Sequence, residues 1–304
     1  MTNEQYLRKL SVPDRPIDVI LDTDAYNEID DQFALSYLLF SPEKITLRAV
    51  TAAPFFNERS CSPADGMEKS YLEILKVMEL AGKGGICPVF RGATGYLPDD
   101  VTPVGSEAVD AILKIASEYS PDRPLYLIAI GAITNVASAL LLDPSIREKC
   151  VVVWLGGHSR TSLDTREFNM RQDFAAARVV FGCGVPFVQI PCRGVADELK
   201  TDERELRAVF TGTTPLGEYL MENTIEHAHT FTTRPDWKKV IWDATAVAFV
   251  MDPSLTESEV VPAPIPTDEG VYRYDQNRQP IRIVTKVDRD AIFRDLFGRI
   301  TGKK

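Results

Sequence analysis

Short apolar runs, rich in β-branched residues, recur along the chain and alternate with segments patterned like helices. The runs are "IDVIL" (Ile17 to Leu21), "ITLRAVT" (Ile45 to Thr51), "LYLIAI" (Leu125 to Ile130), "CVVVWL" (Cys150 to Leu155) and "PFVQI" (Pro186 to Ile190). Each is strand-length and apolar on both alternate sets of positions, as a strand covered on two faces must be. Between them, "SYLEILKVMELAG" and "SEAVDAILKIASEY" repeat apolar residues at helical spacing. This alternation predicts an α/β protein with a mostly parallel central sheet and helices on both faces. Sites in such sheets sit at the carboxyl ends of the strands.

After Lys200 the pattern changes. "TDERELRAVF" reads as a helix, "TGTTP" as a loop, and "LGEYLMENTIEHAHTFTTRPDW" as a second helix with a polar exit. We read 200–237 as a helical insertion forming a flap over the site. The tail, "VYRYDQNRQPIRIVTKVDRDAIFRDLFGRI", reads as a hairpin and a closing amphipathic helix. No Pro-, Ser- or Gly-rich linker and no internal repeat divides the chain, so residues 1–304 are expected to form a single domain.

Charge and cysteine usage narrow the function classes. The formal net charge of −10 argues against a nucleic-acid partner or an anionic membrane surface, both of which select clustered Lys and Arg. The first residues lack the apolar core of a secretory signal, and no run approaches the ~18 residues of a membrane span. Cys61, Cys87, Cys150, Cys183 and Cys192 are odd in number, scattered, and form no C-x-x-C pair. A reduced, cytoplasmic setting is the expectation. With only His158, His227 and His229 in the chain, a zinc site is not expected.

One stretch breaks the bland picture. "ILDTDAYNEIDDQFALSYLL" (Ile20 to Leu39) sets Asp22, Asp24, Glu28, Asp30 and Asp31 at the end of an apolar run and the start of a helical pattern. A helix cap accounts for Asp30 or Asp31 but not for five acids. The apolar strand ending in D-x-D also resembles the start of a haloacid-dehalogenase phosphatase, with Asp22 as nucleophile. That family's later lysine and acidic pair are not evident here. A hard cation is the third reading, because crowded carboxylates need a compensating charge. An EF-hand is ruled out, since Tyr26 and Asn27 stand where its loop needs a ligand and a glycine.

The chain resembles the nucleoside hydrolases, whose first strand is followed by D-x-D-P-G-x-D-D. Here "DTDAYNEIDD" keeps both acidic pairs, lacks Pro-Gly, and carries a longer spacer, Ala25 to Ile29. Further likenesses follow in order: "LIAIGAITNVASAL" (Leu127 to Leu140), "REFNMRQDFAAARVVF" (Arg166 to Phe181), "VIWDATAVAFVMDPSL" (Val240 to Leu255) and "VTKVDRDAIFRDLF" (Val284 to Phe297). The resemblance implies a Ca²⁺-dependent hydrolase of ribonucleoside N-glycosidic bonds. Asp24, Asp31, the main-chain carbonyl of Thr134 and Asp243 would hold the ion, with Asp22 orienting them. Asp30, Asn57, Glu167 and Asn169 would meet the sugar hydroxyls, and Asp24 would act as general base. Dimers or tetramers are also implied.

The departures concern the leaving group and the sugar. Trp242 stands where the inosine–uridine class has a histidine acid, as in purine-preferring members, where an indole stacks on the base. His227 and His229 are candidate replacement acids within the flap, ranked ahead of the loop residue His158. Thr161 replaces an asparagine expected at the ribose 5′-hydroxyl. Asn27 and Glu28 lie in the longer spacer as candidate site residues, and Glu28 reads as an extra acid, a sugar contact or, the favoured reading, a solvated loop charge. Two rival readings remain: a hydrolase of a different glycoside on this scaffold, or a non-catalytic sugar- or nucleoside-binding protein.

Overall fold

Strand-forming runs and helical segments alternate as expected in the computed structural model, which describes residues 1–303. The first half comprises α1 (Asn3–Lys9), β1 (Ile17–Thr23), α2 (Asp31–Leu39), β2 (Ile45–Ala52), α3 (Pro63–Leu80), β3 (Val89–Arg91), α4 (Glu107–Ala116), β4 (Leu125–Ala129) and α5 (Thr134–Leu142). Then come β5 (Cys150–Leu155), α6 (Phe168–Gln172), α7 (Phe174–Gly182), β6 (Phe187–Ile190), β7 (Lys200–Thr201), α8 (Glu203–Phe210), α9 (Pro215–Phe231) and β8 (Lys239–Val240). The chain ends with α10 (Ala244–Met251), β9 (Thr256–Pro262), β10 (Ile265–Pro266), β11 (Tyr272–Arg273), β12 (Pro280–Val287) and α11 (Arg289–Thr301).

Eight strands form one sheet in the order β3-β2-β1-β4-β5-β6-β12-β9. All neighbouring pairs are parallel except β12–β9 at the edge. The strand order reverses direction between β1 and β4, which leaves a crevice at their carboxyl ends. Alternation within β1 explains why its run is apolar throughout. Val19 and Leu21 pack on one face with Phe33, Phe210 and Phe297, and Ile20 packs on the other with Leu127, Trp154 and Phe181.

One expectation about the later chain changes. The tail's hairpin does not form within the tail: β12 pairs with β9, which lies upstream, and β11 pairs with β10. β12 also runs parallel to β6, so it extends the main sheet. The two helices of 200–237 are present as α8 and α9. They pack through Leu206, Phe210, Leu220 and Ile225 into the core.

Candidate active site

The crevice between β1 and β4 is built first from backbone and then from acid side chains. Asp22 and Ala129 are register partners, and Ile130 N–H donates to the Asp22 carbonyl at 2.9 Å. The Asp22 carboxylate does not line a cavity. Its Oδ1 accepts from Thr51 Oγ1 at 2.6 Å and Asn135 Nδ2 at 2.8 Å, joining β1 to β2 and α5. Burial nevertheless pushes its pKa up to about 6.

Beyond Thr23 the chain loops through Asp24 to Asp30 before α2 begins. Asp30 occupies the N-cap of α2 and Asp243 that of α10, yet neither side chain makes a capping hydrogen bond. The carboxylates turn instead toward each other, and Asp30, Asp31 and Asp243 offer oxygens within 4.8 Å of one another. Asp30 Oδ2 accepts from Asp243 N–H at 3.3 Å, while Asp31 accepts from the Thr23 hydroxyl. Two helix N-termini thus point partial positive charge at the cluster. That partial charge falls short. Burial and then like-charged neighbours push Asp24 and Asp243 well above the ordinary carboxylate range. Asp30 rises to about 7 and Asp31 to about 6, burial again being the chief cause.

Asp24 is the extreme case. It is 1% exposed, and neither carboxylate oxygen has a hydrogen-bond partner among the described residues. An unpaired buried carboxylate of this kind is costly. The loop after β4 passes so close that a Cβ at Gly131 would lie 3.0 Å from Asp24 Cγ. Thr134 opens α5 just beyond, its hydroxyl donating to Asp173 Oδ2 at 2.7 Å. An all-oxygen, acid-rich donor set with unfilled lone pairs suits a hard divalent cation. The residues present therefore fit the ion that the sequence implied.

A cavity of about 290 Å³ opens over these acids, lined by Asp24, Asp30, Asp31, Asp243, Trp242, Glu167 and Asn169 among others. Asn169 donates both amide hydrogens, to the carbonyls of Ile130 and Leu155 at 3.0 Å each, leaving Oδ1 for a ligand. Glu167 caps α6 and accepts from the N–H groups of Gly157, Asn169 and Met170 at 2.8–3.0 Å. Asn57 stands behind this wall. Its Nδ2 donates to Asn27 Oδ1 at 2.6 Å, and Asn27 is the residue that reaches the cavity. Glu28, read as a loop charge, keeps a partly exposed side chain, borders the cavity and pairs with Lys239.

The histidines rank differently in space than along the chain. His227 lies in a separate cavity, its pKa lowered to about 4 by burial and the Lys239 charge. His229 sits on the surface 3.9 Å from Glu203. His158 is the one that lines the acid cavity. Thr161 is exposed and outside the lining. Sequence reasoning also passed over Gly131, Asn135, Asp173 and Arg193. Asn135 and Asp173 lay inside the quoted segments, so a search for buried side chains that bond two segments would have found them.

The chain matches the model of the metal-dependent "inosine-uridine preferring nucleoside hydrolase" family over residues 19–294. It is similar to the inosine-uridine preferring nucleoside hydrolase of Leishmania major, 27% identical over 82% of this chain and 83% of that one. It is also similar to the pyrimidine-specific ribonucleoside hydrolase RihA of an Enterobacter species, 28% identical over 78% of this chain and 80% of the relative. The fold matches that of a purine-preferring ribonucleoside hydrolase from Gardnerella vaginalis, with a TM-score of 0.76 at 22% identity, covering 94% of this chain and 98% of the other. Among the described residues no helix is long and apolar enough to cross a membrane. The acid crevice at the strand reversal and a family match spanning most of the sequence lead to one conclusion: this chain belongs to the nucleoside hydrolase family, glycosidases acting on N-glycosyl compounds.

Proposed function

We propose that the protein hydrolyses ribonucleosides with the aid of one Ca²⁺ ion, and that Trp242 biases it toward purines. Asp24, Asp31, Asp243 and the Thr134 carbonyl would hold the ion, which when bound supplies Lewis acidity toward a water molecule and the vicinal sugar hydroxyls. The observation that carries this reading is Asp24, whose two oxygens are buried beside the cavity without a partner.

Asp24, its two oxygens buried beside the cavity without a partner, would take a proton from the attacking water. Asp30 and the free Oδ1 of Asn169 accept from sugar hydroxyls and fix the ring. Glu167, held by three backbone N–H groups, adds negative charge where an oxocarbenium-like transition state develops positive charge. The half-buried Trp242 indole forms a cavity wall on which a departing base can stack. Five unpaired cysteines agree with a reduced cytoplasmic setting.

The test is base release from purine and pyrimidine ribosides, deoxyribosides and other glycosides, with Ca²⁺ and after chelation. Purine ribosides should turn over fastest, and chelation should stop the reaction. Hydrolysis surviving both chelation and Asp24→Asn overturns the mechanism. Activity confined to other glycosides moves the substrate assignment to the altered Ala25–Ile29 loop, whose Asn27 and Glu28 line the cavity.

A further inference from the structure

The cavity is electrically divided. Asp24, Glu28, Asp30, Asp31 and Asp243 come from the loop after β1 and the start of α10, whereas His158 follows β5, Arg193 follows β6 and Arg171 lies in the last turn of α6, with Glu167 at that helix's N-cap the one lining acid on this side. In sheet order β1 is separated from β5 by β4 alone, and from β6 by β4 and β5. At about 4.8 Å per strand, the two walls stand roughly 10–14 Å apart. That is the reach of a pentose with one further group attached.

On the far wall the Glu167 carboxylate is already occupied by three backbone N–H groups, whereas the exposed side chains of Arg171 and Arg193 are open to a ligand. The Arg171 guanidinium lies 5.1 Å from the Phe168 ring centroid and makes no ion pair among the described residues. Arg193 has only Asp164, at 3.7 Å. By contrast, Arg178, on the next helix but outside the cavity, is paired with both Asp100 and Asp268. His158 Nδ1 accepts from the Arg193 backbone N–H at 3.3 Å, so in the neutral ring Nε2 carries the proton, 4.0 Å from Asp164. Two forked guanidinium groups with one loosely held carboxylate between them match a tetrahedral oxyanion far better than a neutral hydroxyl.

We infer that the preferred substrate carries a phosphate at the sugar's 5′ position, held by Arg193 and Arg171, so that the enzyme acts on ribonucleoside 5′-monophosphates. This rests on the N-ribohydrolase reading above. Water's oxygen bonds to C1′, the C1′–N electron pair leaves with the base, and the base gains a proton. The phosphate ester is untouched, and the products are free base and ribose 5-phosphate.

Two measurements decide it. The first compares kcat/KM for inosine and inosine 5′-monophosphate in the wild type, Arg193→Gln and Arg171→Gln. The second measures calorimetric binding of ribose 5-phosphate, ribose and inorganic phosphate to the same proteins. The monophosphate should be favoured by at least about tenfold, and each variant should cut that ratio several-fold. Ribose 5-phosphate should bind at least about tenfold more tightly than ribose, and the variants should lose this margin. A nucleoside used as well as its monophosphate, with no gain in binding from the phosphate, overturns the inference and leaves the hydrolase reading intact. Tight ribose 5-phosphate binding without turnover of either substrate supports the anion site and defeats the hydrolase reading.

Discussion

Two cavities flank the spacer from Ala25 to Ile29, and both contain buried carboxylates. The larger, about 680 Å³, is lined by Tyr26, Glu73, Tyr219 and His227 among others. There Glu73 accepts from Gln32 Nε2 at 3.2 Å and from the Tyr219 hydroxyl. The smaller, about 290 Å³, holds Asp24 with no partner at either oxygen. Size would point to the first cavity, and chemistry points to the second. A carboxylate whose lone pairs are filled by neighbours is part of the packing, while one left open at the cost of burial is kept for something that binds. The spacer is the partition between them. It is anchored by Asn57 on Asn27, by Arg59 on the Glu28 carbonyl at 3.2 Å, and by Glu28 on Lys239.

The comparison breaks most directly at its two carboxylates. Asp24→Asn should lower kcat by about 10²–10⁴, the range for losing a general base. Glu73→Gln, in the larger cavity, should change kcat by less than about threefold; an equal loss would erase the distinction, and steady-state kinetics on one ribonucleoside measures both.

Cation removal comes next. With folded-state values raised above the ordinary range, the cation-free protein binds more protons than its unfolded chain. Its stability should therefore fall as pH rises from about 4 to about 7, the window between the ordinary carboxylate value and the raised values of Asp22, Asp30 and Asp31. Saturating Ca²⁺ should raise Tm by about 5–10 °C at pH 8 and by less at pH 5, where protons compete for the same oxygens. Thermal melts with and without chelator check this. A cation effect independent of pH would detach the ion from the acid cluster.

Gly131→Ala sharpens the picture at the level of tenths of an ångström. The new methyl would sit 3.0 Å from Asp24 Cγ and 3.1 Å from Ala53 Cβ. Displacing the base should cost about tenfold in kcat, whereas Gly95→Ala, with nothing within 4 Å, should cost nothing measurable. The smallest effect belongs to Lys239→Met. Lys239 lowers the Asp30 pKa, so its loss should raise that value further and move the acid limb of the pH–rate profile to higher pH by a fraction of a unit.

The β–α alternation was readable because strands covered on both faces must be apolar at every position, and β5 matches its run end to end, Cys150–Leu155. The pairing of β12 with β9 was not readable, since nothing local in Pro280–Val287 names a partner upstream. Asp24, Asp30, Asp31 and Asp243 were legible as a group through their crowding and the ordered motifs. What Asp30 does was less so, because an acid at an N-cap normally caps, and only its geometry shows that it does not. The histidine ranking failed for a related reason. Proximity to a flap in sequence says nothing of which way a helix faces, and α9 turns His227 into the other cavity.

Asn135 carries a consequence for hydrogen exchange. Its amide group donates to Asp22 and to the Ala52 carbonyl at 3.2 Å, and its Oδ1 accepts from Ala93 N–H at 2.8 Å. One fully buried side chain thus ties the ends of β1 and β2 to the loop after β3. The Ala93 amide belongs to no strand, and in an ordinary loop it would exchange within seconds to minutes. Here it can reach solvent only when the crevice itself comes apart, so its protection should approach that of the central strands. The floor of the active site and the middle of the sheet would then open as one cooperative unit.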